Sequence, residues 1–437
     1  MTLTRGLAPR RAALHVLAQV RAGRPLDAAL DGALRSLDDA DRRLAHEMAA
    51  GVLRRQSALD AALAPLVTRE WAKVPPRLQD LLRLGAYQIV ELDRVPPHAA
   101  VDTSVSLARE EGGPRAGGFV NAVLRRLGPG PDPALGAAES SDGSDGATLA
   151  QRHSHPLWLV ERWLGRFGPA ETQRLLEWND RRPRLVLQAA REGLADLERR
   201  WRAAGIATEP APFGAGIMTD RRRPEELPGF AEGAFVVQDP AQALLAWYAD
   251  LPPGVTLYDA AASPGGKTIA LGREARVVLA GDVNRLRVSR LAHNLRRAGS
   301  GREHAVVADA HRPPVRPVGA VLLDAPCLGT GTFARHPDAR SRVTPEALDR
   351  LQGLQTELLE RTSEAVAPGG LLIYSTCSLE PEENERQVER FLARHTEFRR
   401  EPSDTFPPAL MSEDGDLTIV PQRHEMDGAY AARLRRA

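Results

Sequence analysis

The sequence predicts an α/β protein in which an all-α unit precedes a parallel, doubly wound sheet. Three observations carry this. From about residue 240, short apolar runs alternate with helical segments, the rhythm of βαβ units. Before residue 130, apolar residues recur at helical spacing, with Arg and Asp filling the other faces. Between these regions, Gly128-Pro129-Gly130-Pro131-Asp132-Pro133 and Glu139-Ser140-Ser141-Asp142-Gly143-Ser144-Asp145-Gly146 hold almost no large apolar side chain. Pro, Gly, Ser and Asp in that density are linker composition.

Taken in order, residues 1–130 form an all-α unit of several helices. Ala13, Leu14, Leu17 and Val20 share one face, as do Leu78, Leu81, Leu82 and Gly85-Ala86. Residues 131–150 are expected to be a flexible linker. Residues 151–237 mix helices (157–164, 170–178) with extended runs (184–188, 233–237) and read as a small α+β subdomain. Arg181, Arg182 and Arg184 cluster there, as do Arg221 to Arg223. Such runs are usually solvated faces; in an RNA-binding protein they would meet phosphate. From residue 238 to 437 the spacing predicts strands at 255–260, 276–282, 304–308, 319–324 and 369–375. Helices are predicted at 284–298 and 345–367. Leu417-Thr418-Ile419-Val420 and Gly428 to Leu434 are closing strands.

Composition narrows the class. A chain of 437 residues allows two or three domains. Lys+Arg is 58 and Asp+Glu is 57, so no global charge marks a polyanion partner. The only lysines are Lys73 and Lys267. Two cysteines cannot build a disulfide framework. The start of the chain lacks an apolar signal core, and no run approaches a membrane span. A soluble, cytoplasmic protein is expected.

Both cysteines sit in small motifs just after apolar runs. Ala320-Val321-Leu322-Leu323 leads into Asp324-Ala325-Pro326-Cys327-Leu328-Gly329-Thr330-Gly331, and Leu371-Leu372-Ile373-Tyr374 into Ser375-Thr376-Cys377-Ser378. Open α/β sheets place their chemistry past the carboxyl ends of parallel strands. Two thiols brought to that edge suggest one site using both, although free Cys is more often a small buried hydrophobe. The first strand ends in Asp259-Ala260-Ala261-Ala262-Ser263-Pro264-Gly265-Gly266-Lys267-Thr268, where small residues let a ligand approach the backbone. The next two strands end in Asp282 and Asp309. An acid after the second strand suits ribose hydroxyls, and one after the third can accept from an adenine amino group. A helix N-cap is the plainer role for each. A dithiol redox or metal site is the weaker reading, because two Cys offer too few soft ligands.

With these residues assembled, the chain resembles the bacterial rRNA cytosine-C5 methyltransferases of the NOL1/NOP2/Sun family. Arg335-His336-Pro337-Asp338, Glu380-Pro381-Glu382-Glu383-Asn384-Glu385 and Asp427-Gly428-Ala429-Tyr430-Ala431-Ala432-Arg433-Leu434 also match that family. The helical region resembles its NusB-like RNA-binding domain, most specifically over Arg115 to Leu127. The resemblance implies a Rossmann-like class I methyltransferase domain and S-adenosylmethionine as cofactor. Ala261, Ala262, Ser263, Pro264, Gly265, Gly266, Lys267, Asp282, Asp309 and Asp324 would bind it. It further implies Cys377 as nucleophile, Cys327 as the group assisting release, Asp324 against the cytosine edge and Lys267 orienting base or cofactor. The implied partner is small-subunit ribosomal RNA, with no metal and no membrane, bound by a monomer. Ala261, where the family has Cys, Ser263, Leu328 and Ala429 depart from the pattern. The competing readings are an RNA-binding assembly factor with an inactive methyltransferase fold, or a family member acting on another rRNA or tRNA cytosine.

Overall fold

The computed structural model describes residues 6–127, 145–219 and 223–437. Residues 128–144, most of the expected linker, and Arg221 and Arg222 lie outside them. The chain divides into two compact units. One comprises Met1–Arg181 with Phe333–Val343, the other Arg182–Thr332 with Thr344–Ala437. In this division residues 151–181 fall in the same unit as the helices that precede them.

The helical unit opens with α1 (Leu7–Arg21), α2 (Leu26–Ala33), α3 (Asp39–Arg54), α4 (Gln56–Leu63), α5 (Pro76–Glu91) and α6 (Pro97–Leu124). The predicted apolar faces meet in one core: Ala13, Leu14, Leu17 and Val20 with Leu81, Leu82 and Ala86. Proline occupies the first turn of α5 and α6, where its missing N–H costs nothing. Within α6, Gly113 takes φ +72°, and Pro114 follows the break. Then come α7 (Gly146–Arg152), α8 (Leu157–Phe167) and α9 (Pro169–Asp180). Asp145 caps α7 by accepting from Thr148 N at 3.3 Å, so helix replaces linker from residue 146.

Residues 333–343 fold into this unit. Phe333 is fully buried, 5.6 Å from the His155 ring and 6.2 Å from Trp163. Arg340 donates to Arg54 O at 3.1 Å, His153 O at 2.9 Å and Asp180 Oδ1 at 3.1 Å. Burial lowers the Arg340 guanidinium to about 10, with Asp180 opposing. Asp338 accepts from Leu26 N at 3.2 Å.

The other unit starts with a small antiparallel sheet, ordered β2-β3-β1-β4, made of β1 (Leu185–Ala189), β2 (Glu209–Pro210), β3 (Ile217–Thr219) and β4 (Phe235–Val237). Helix α10 (Leu194–Ala203) covers it, with Trp201 edge-on to Phe235 at 5.2 Å. After α11 (Pro240–Ala249) comes the main sheet: β5 (Thr256–Asp259), β6 (Val277–Asp282), β7 (Glu303–Val307), β8 (Val318–Asp324) and β9 (Val366–Thr376). Helices α12 (Gly266–Leu271), α13 (Arg285–Ala298) and α14 (Pro345–Ser363) connect them. The order runs β10-β12-β9-β8-β5-β6-β7, and strands β7 to β9 across the middle are all parallel. The chain steps from β5 outward to β7 and returns to β8 on the other side. This reversal is the switch point where such sheets open a crevice.

One expectation changes here. The helix expected to 367 stops at Ser363, because Val366-Ala367-Pro368-Gly369-Gly370 already belongs to β9. The tail strands are antiparallel: β12 (Ala429–Arg436) pairs with β9, while β10 (Phe398–Arg400) and β11 (Leu417–Ile419) flank β12. Short helices α15 (Glu385–Arg394) and α16 (Pro421–His424) join these strands. No helix among the described residues is long and apolar enough to cross a membrane.

Candidate active site

Every predicted site residue lies at the carboxyl edge of β5, β6, β7, β8 or β9, in the loop that follows, or, for Gly266 and Lys267, in the first turn of α12. The loop after β5 turns back on the sheet: Ala260 N donates to Leu322 O at 2.9 Å, and Ala262 N to Gly281 O at 2.8 Å. These bonds fasten the backbone of Ala261 and Ala262 between β8 and β6. Ser263 Oγ donates to Arg287 O at 3.2 Å, and Asn294 Nδ2 to Pro264 O at 2.8 Å, so α13 holds the loop's far side. Gly265 has φ +108°, and a side chain there would meet Leu291. Gly266 opens α12, which delivers Lys267 inward.

Lys267 Nζ lies 2.6 Å from Asp324 Oδ2, and Ser375 Oγ donates to Asp324 Oδ1 at 2.9 Å. Burial works against the Lys267 charge, but Asp324, Cys377 and Asp259 outweigh it and hold the ammonium above its ordinary range. Beneath this pair, Asp259 is almost wholly buried and accepts from Thr268 Oγ1 at 2.6 Å. Burial raises its carboxyl to about 7.

The two thiols come together as their motifs suggested: Cys327 Sγ and Cys377 Sγ are 3.5 Å apart. Adjacent strands explain this, because Asp324 stands opposite Ser375 in the β8–β9 register. Gly331 N donates to Cys377 O at 3.0 Å, and Gly428 N to Gly331 O at 2.8 Å. A side chain at Gly331 would collide with Gly428 Cα at 2.7 Å, so these three segments touch only because both residues lack one. The Cys327 thiol is pushed well above its usual range by its hydrogen bond to Cys377, by burial and by the Cys377 charge. Either thiol can be the donor in this contact.

Asp282 and Asp309 stand together on the far side of β5. Asp282 pairs in register with Val307, and Ala308 N donates to Asp282 O at 3.1 Å. Asp282 Oδ1 accepts from Asn284 N at 2.8 Å. Asp309 Oδ1 accepts from His311 N at 2.9 Å, a contact that with the His311 ring holds its carboxyl below the usual range. Each acid thus spends one oxygen on the turn that follows it, and neither is a helix N-cap, since Asn284 caps α13. Beside them Val283 is 67% exposed and Val307 54% exposed. An uncovered apolar pair between two acids suits the face of a planar heterocycle with polar edges.

Sequence reasoning missed four buried groups: Asp259, Ser375, Gln355 and Glu383. Ser375 and Asp259 lay within quoted motifs without a role. Glu383 lay in the acidic stretch after Cys377. Nothing flagged Gln355, a polar residue in the middle of α14.

The comparisons with known proteins agree on both units. The family model described as 16S rRNA methyltransferase RsmB/F matches residues 248–435, and that of the NusB family matches residues 7–128. The probable ribosomal RNA small subunit methyltransferase B of a Synechocystis species is 35% identical, the match covering 94% of this chain and 95% of the relative. Ribosomal RNA small subunit methyltransferase B of Thermus thermophilus is also 35% identical, over 98% of each chain. Among solved structures, a methyltransferase homologue from Pyrococcus horikoshii superposes with a TM-score of 0.57 at 27% identity. That match covers 68% of this chain and 100% of the other.

Proposed function

The chain belongs to the RsmB/F family of 16S rRNA methyltransferases, and from that premise we propose that it methylates carbon 5 of a cytosine in small-subunit ribosomal RNA. The observation that carries the chemistry is the thiol pair at 3.5 Å beside the Lys267–Asp324 ion pair. A methyltransferase acting on an exocyclic amine or a ribose hydroxyl needs no paired thiols. A C5 methyltransferase needs one thiolate, because carbon 5 of cytosine is a poor nucleophile until a thiolate adds at carbon 6, and a second thiol can serve as the base for release.

The methyl donor is S-adenosylmethionine, and the residues fit it. Asp282 suits its ribose hydroxyls, Asp309 its adenine amino group, and Val283 and Val307 the ring face. Residues 261–267 supply close backbone approach. When bound, it supplies an electrophilic methyl group for the activated carbon 5. The target base must leave its stack to reach the thiols.

Within the site, Cys377 adds to carbon 6 as the thiolate. Asp324, oriented by Ser375 and Lys267, meets the amidine edge and favours the ring protonated at N3. The enamine so formed attacks through carbon 5. Release is an elimination: the carbon 5 proton leaves to a base, and its electron pair forms the C5–C6 double bond. The C6–Sγ bond breaks with its pair onto Cys377. Cys327 is the base. Once Cys377 is a neutral thioether, its charge no longer opposes ionisation of Cys327. Cys327 then ionises to solvent and takes the carbon 5 proton, which regenerates the thiol–thiolate pair. The N3 proton is taken on and given up with the base, so one proton is released per methyl transferred.

Cys377→Ala should abolish methylation and covalent adducts. Cys327→Ala should trap a protein–RNA adduct that survives denaturing gels. Adduct from Cys377→Ala with none from Cys327→Ala would reverse the roles.

A further inference from the structure

Cys327 is presented on a turn whose two flanks are gripped from below. On one side Gln355 Nε2 donates to Pro326 O at 2.9 Å. On the other, Leu328 N donates to Glu383 Oε1 at 3.0 Å and lies 3.2 Å from Oε2. The grip is closed, because Gln355 Nε2 also donates to Glu383 Oε1 at 2.9 Å. Gln355 is fully buried on α14 and Glu383 fully buried ahead of α15. The Gln355 amide can face only one way, since both of its partners are acceptors. Glu383 is itself fixed: Tyr374 OH donates to its carbonyl at 2.7 Å, and Ser378, next to Cys377, also bonds its carboxyl. One buried carboxyl thus ties the Cys327 turn to the segment carrying Cys377.

We infer that Glu383 and Gln355 are positioning residues for release, holding Cys327 within reach of the proton on carbon 5 while leaving the addition by Cys377 untouched. The inference rests on the assignment of Cys327 to release. A buried charge unrelated to function would be a costly feature here. Burial raises the Glu383 carboxyl to about 7, so near neutral pH it is charged only part of the time. An acceptor oxygen is what the geometry requires of it.

The test separates acceptor from charge. Glu383→Gln keeps an oxygen for Leu328 N and Gln355 Nε2 and offers its amide to Ser378. Glu383→Ala removes the acceptor. Gln355→Leu removes the donor at nearly constant volume and leaves Glu383 in place. Each full-length variant is assayed with rRNA for first-turnover methyl transfer, steady-state turnover and gel-stable adduct. Displacements of about 1 Å at a reacting group can cost roughly 100-fold. Glu383→Ala and Gln355→Leu should therefore lose about tenfold or more in steady-state turnover and accumulate adduct. Their first turnover should stay within about threefold of wild type. Glu383→Gln should restore most of the turnover. Glu383→Gln as impaired as Glu383→Ala, or first turnover falling in step with steady state in both Glu383→Ala and Gln355→Leu, would overturn the positioning role. Cys327→Ala run alongside identifies failure of the parent assignment: if it gives no adduct, Cys327 is not the release group.

Discussion

Single side chains set the electrostatics at the sheet edge, and their effects are separable. Asp282 Oδ1 accepts from Asn284 N, and its proposed role is to hold the ribose. Asp282→Ala should weaken S-adenosylmethionine binding by about 1–3 kcal/mol, read by calorimetry; unchanged affinity would remove Asp282 from the cofactor site. Asp259 makes a pH prediction. Its folded value is about 7 against an ordinary value of 3.8, so between these the folded protein binds more protons than the unfolded chain. Stability must then fall as pH rises through that window, by an amount on the order of 4 kcal/mol for this buried group. Melting curves from pH 5 to 8 should decline for wild type and flatten for Asp259→Asn. Glu383 contributes a slope of the same sign, so the variant should keep part of the decline.

At the scale of elements, the strand order places the thiols and the proposed cofactor acids Asp282 and Asp309 on opposite sides of β5. The close approach of the Cys327 loop, the Cys377 backbone and the start of β12 depends on Gly331 and Gly428. Gly331→Ala inserts a methyl where 2.7 Å is available, so destabilisation of about 1–3 kcal/mol and loss of turnover are expected. Differential scanning calorimetry and a methylation assay check both. The β5 to β9 sequence was legible from apolar runs ending in Asp259, Asp282 and Asp324, because buried parallel strands read as continuous hydrophobic segments. The limit of α14 was not. Helical and extended patterns merge where Ala365-Val366-Ala367 runs into Pro368-Gly369-Gly370, and only the pairing of Val366 with Val318 decides it. The paired cysteines were legible from their motifs. Gln355 was not, since its importance comes from a partner 28 residues away in sequence. Asp259 hid its role in the same way, because burial is a property of the packed sheet.

For the whole molecule, the helical region is the expected source of extra RNA affinity. Residues 1–130 carry 19 Lys+Arg against 14 Asp+Glu, a net charge of +5. Removing residues 1–127 should weaken binding to substrate RNA and make it less sensitive to salt, because fewer counterions are released. Filter binding across a salt series reads this. S-adenosylmethionine binding should survive, since every proposed cofactor residue lies beyond Asp259. The same deletion should lower the melting temperature, because it takes Leu26 N from Asp338 and Arg54 O from Arg340.

That last dependence has a consequence for synthesis. A chain emerging from the ribosome normally completes its N-terminal unit first. Here the helical unit cannot close when Arg181 appears, because Phe333 to Val343 are still to come. At roughly 5–20 residues per second, the wait for these residues lasts about 8–30 s. During that interval Asp180, His155 and Trp163 lack the partners that bury them, so the nascent helices pass through an unfinished state with an exposed aromatic notch. Arrested nascent chains ending before residue 333 should be cut readily by protease between residues 145 and 181. Chains long enough to free residue 343 from the exit tunnel should resist.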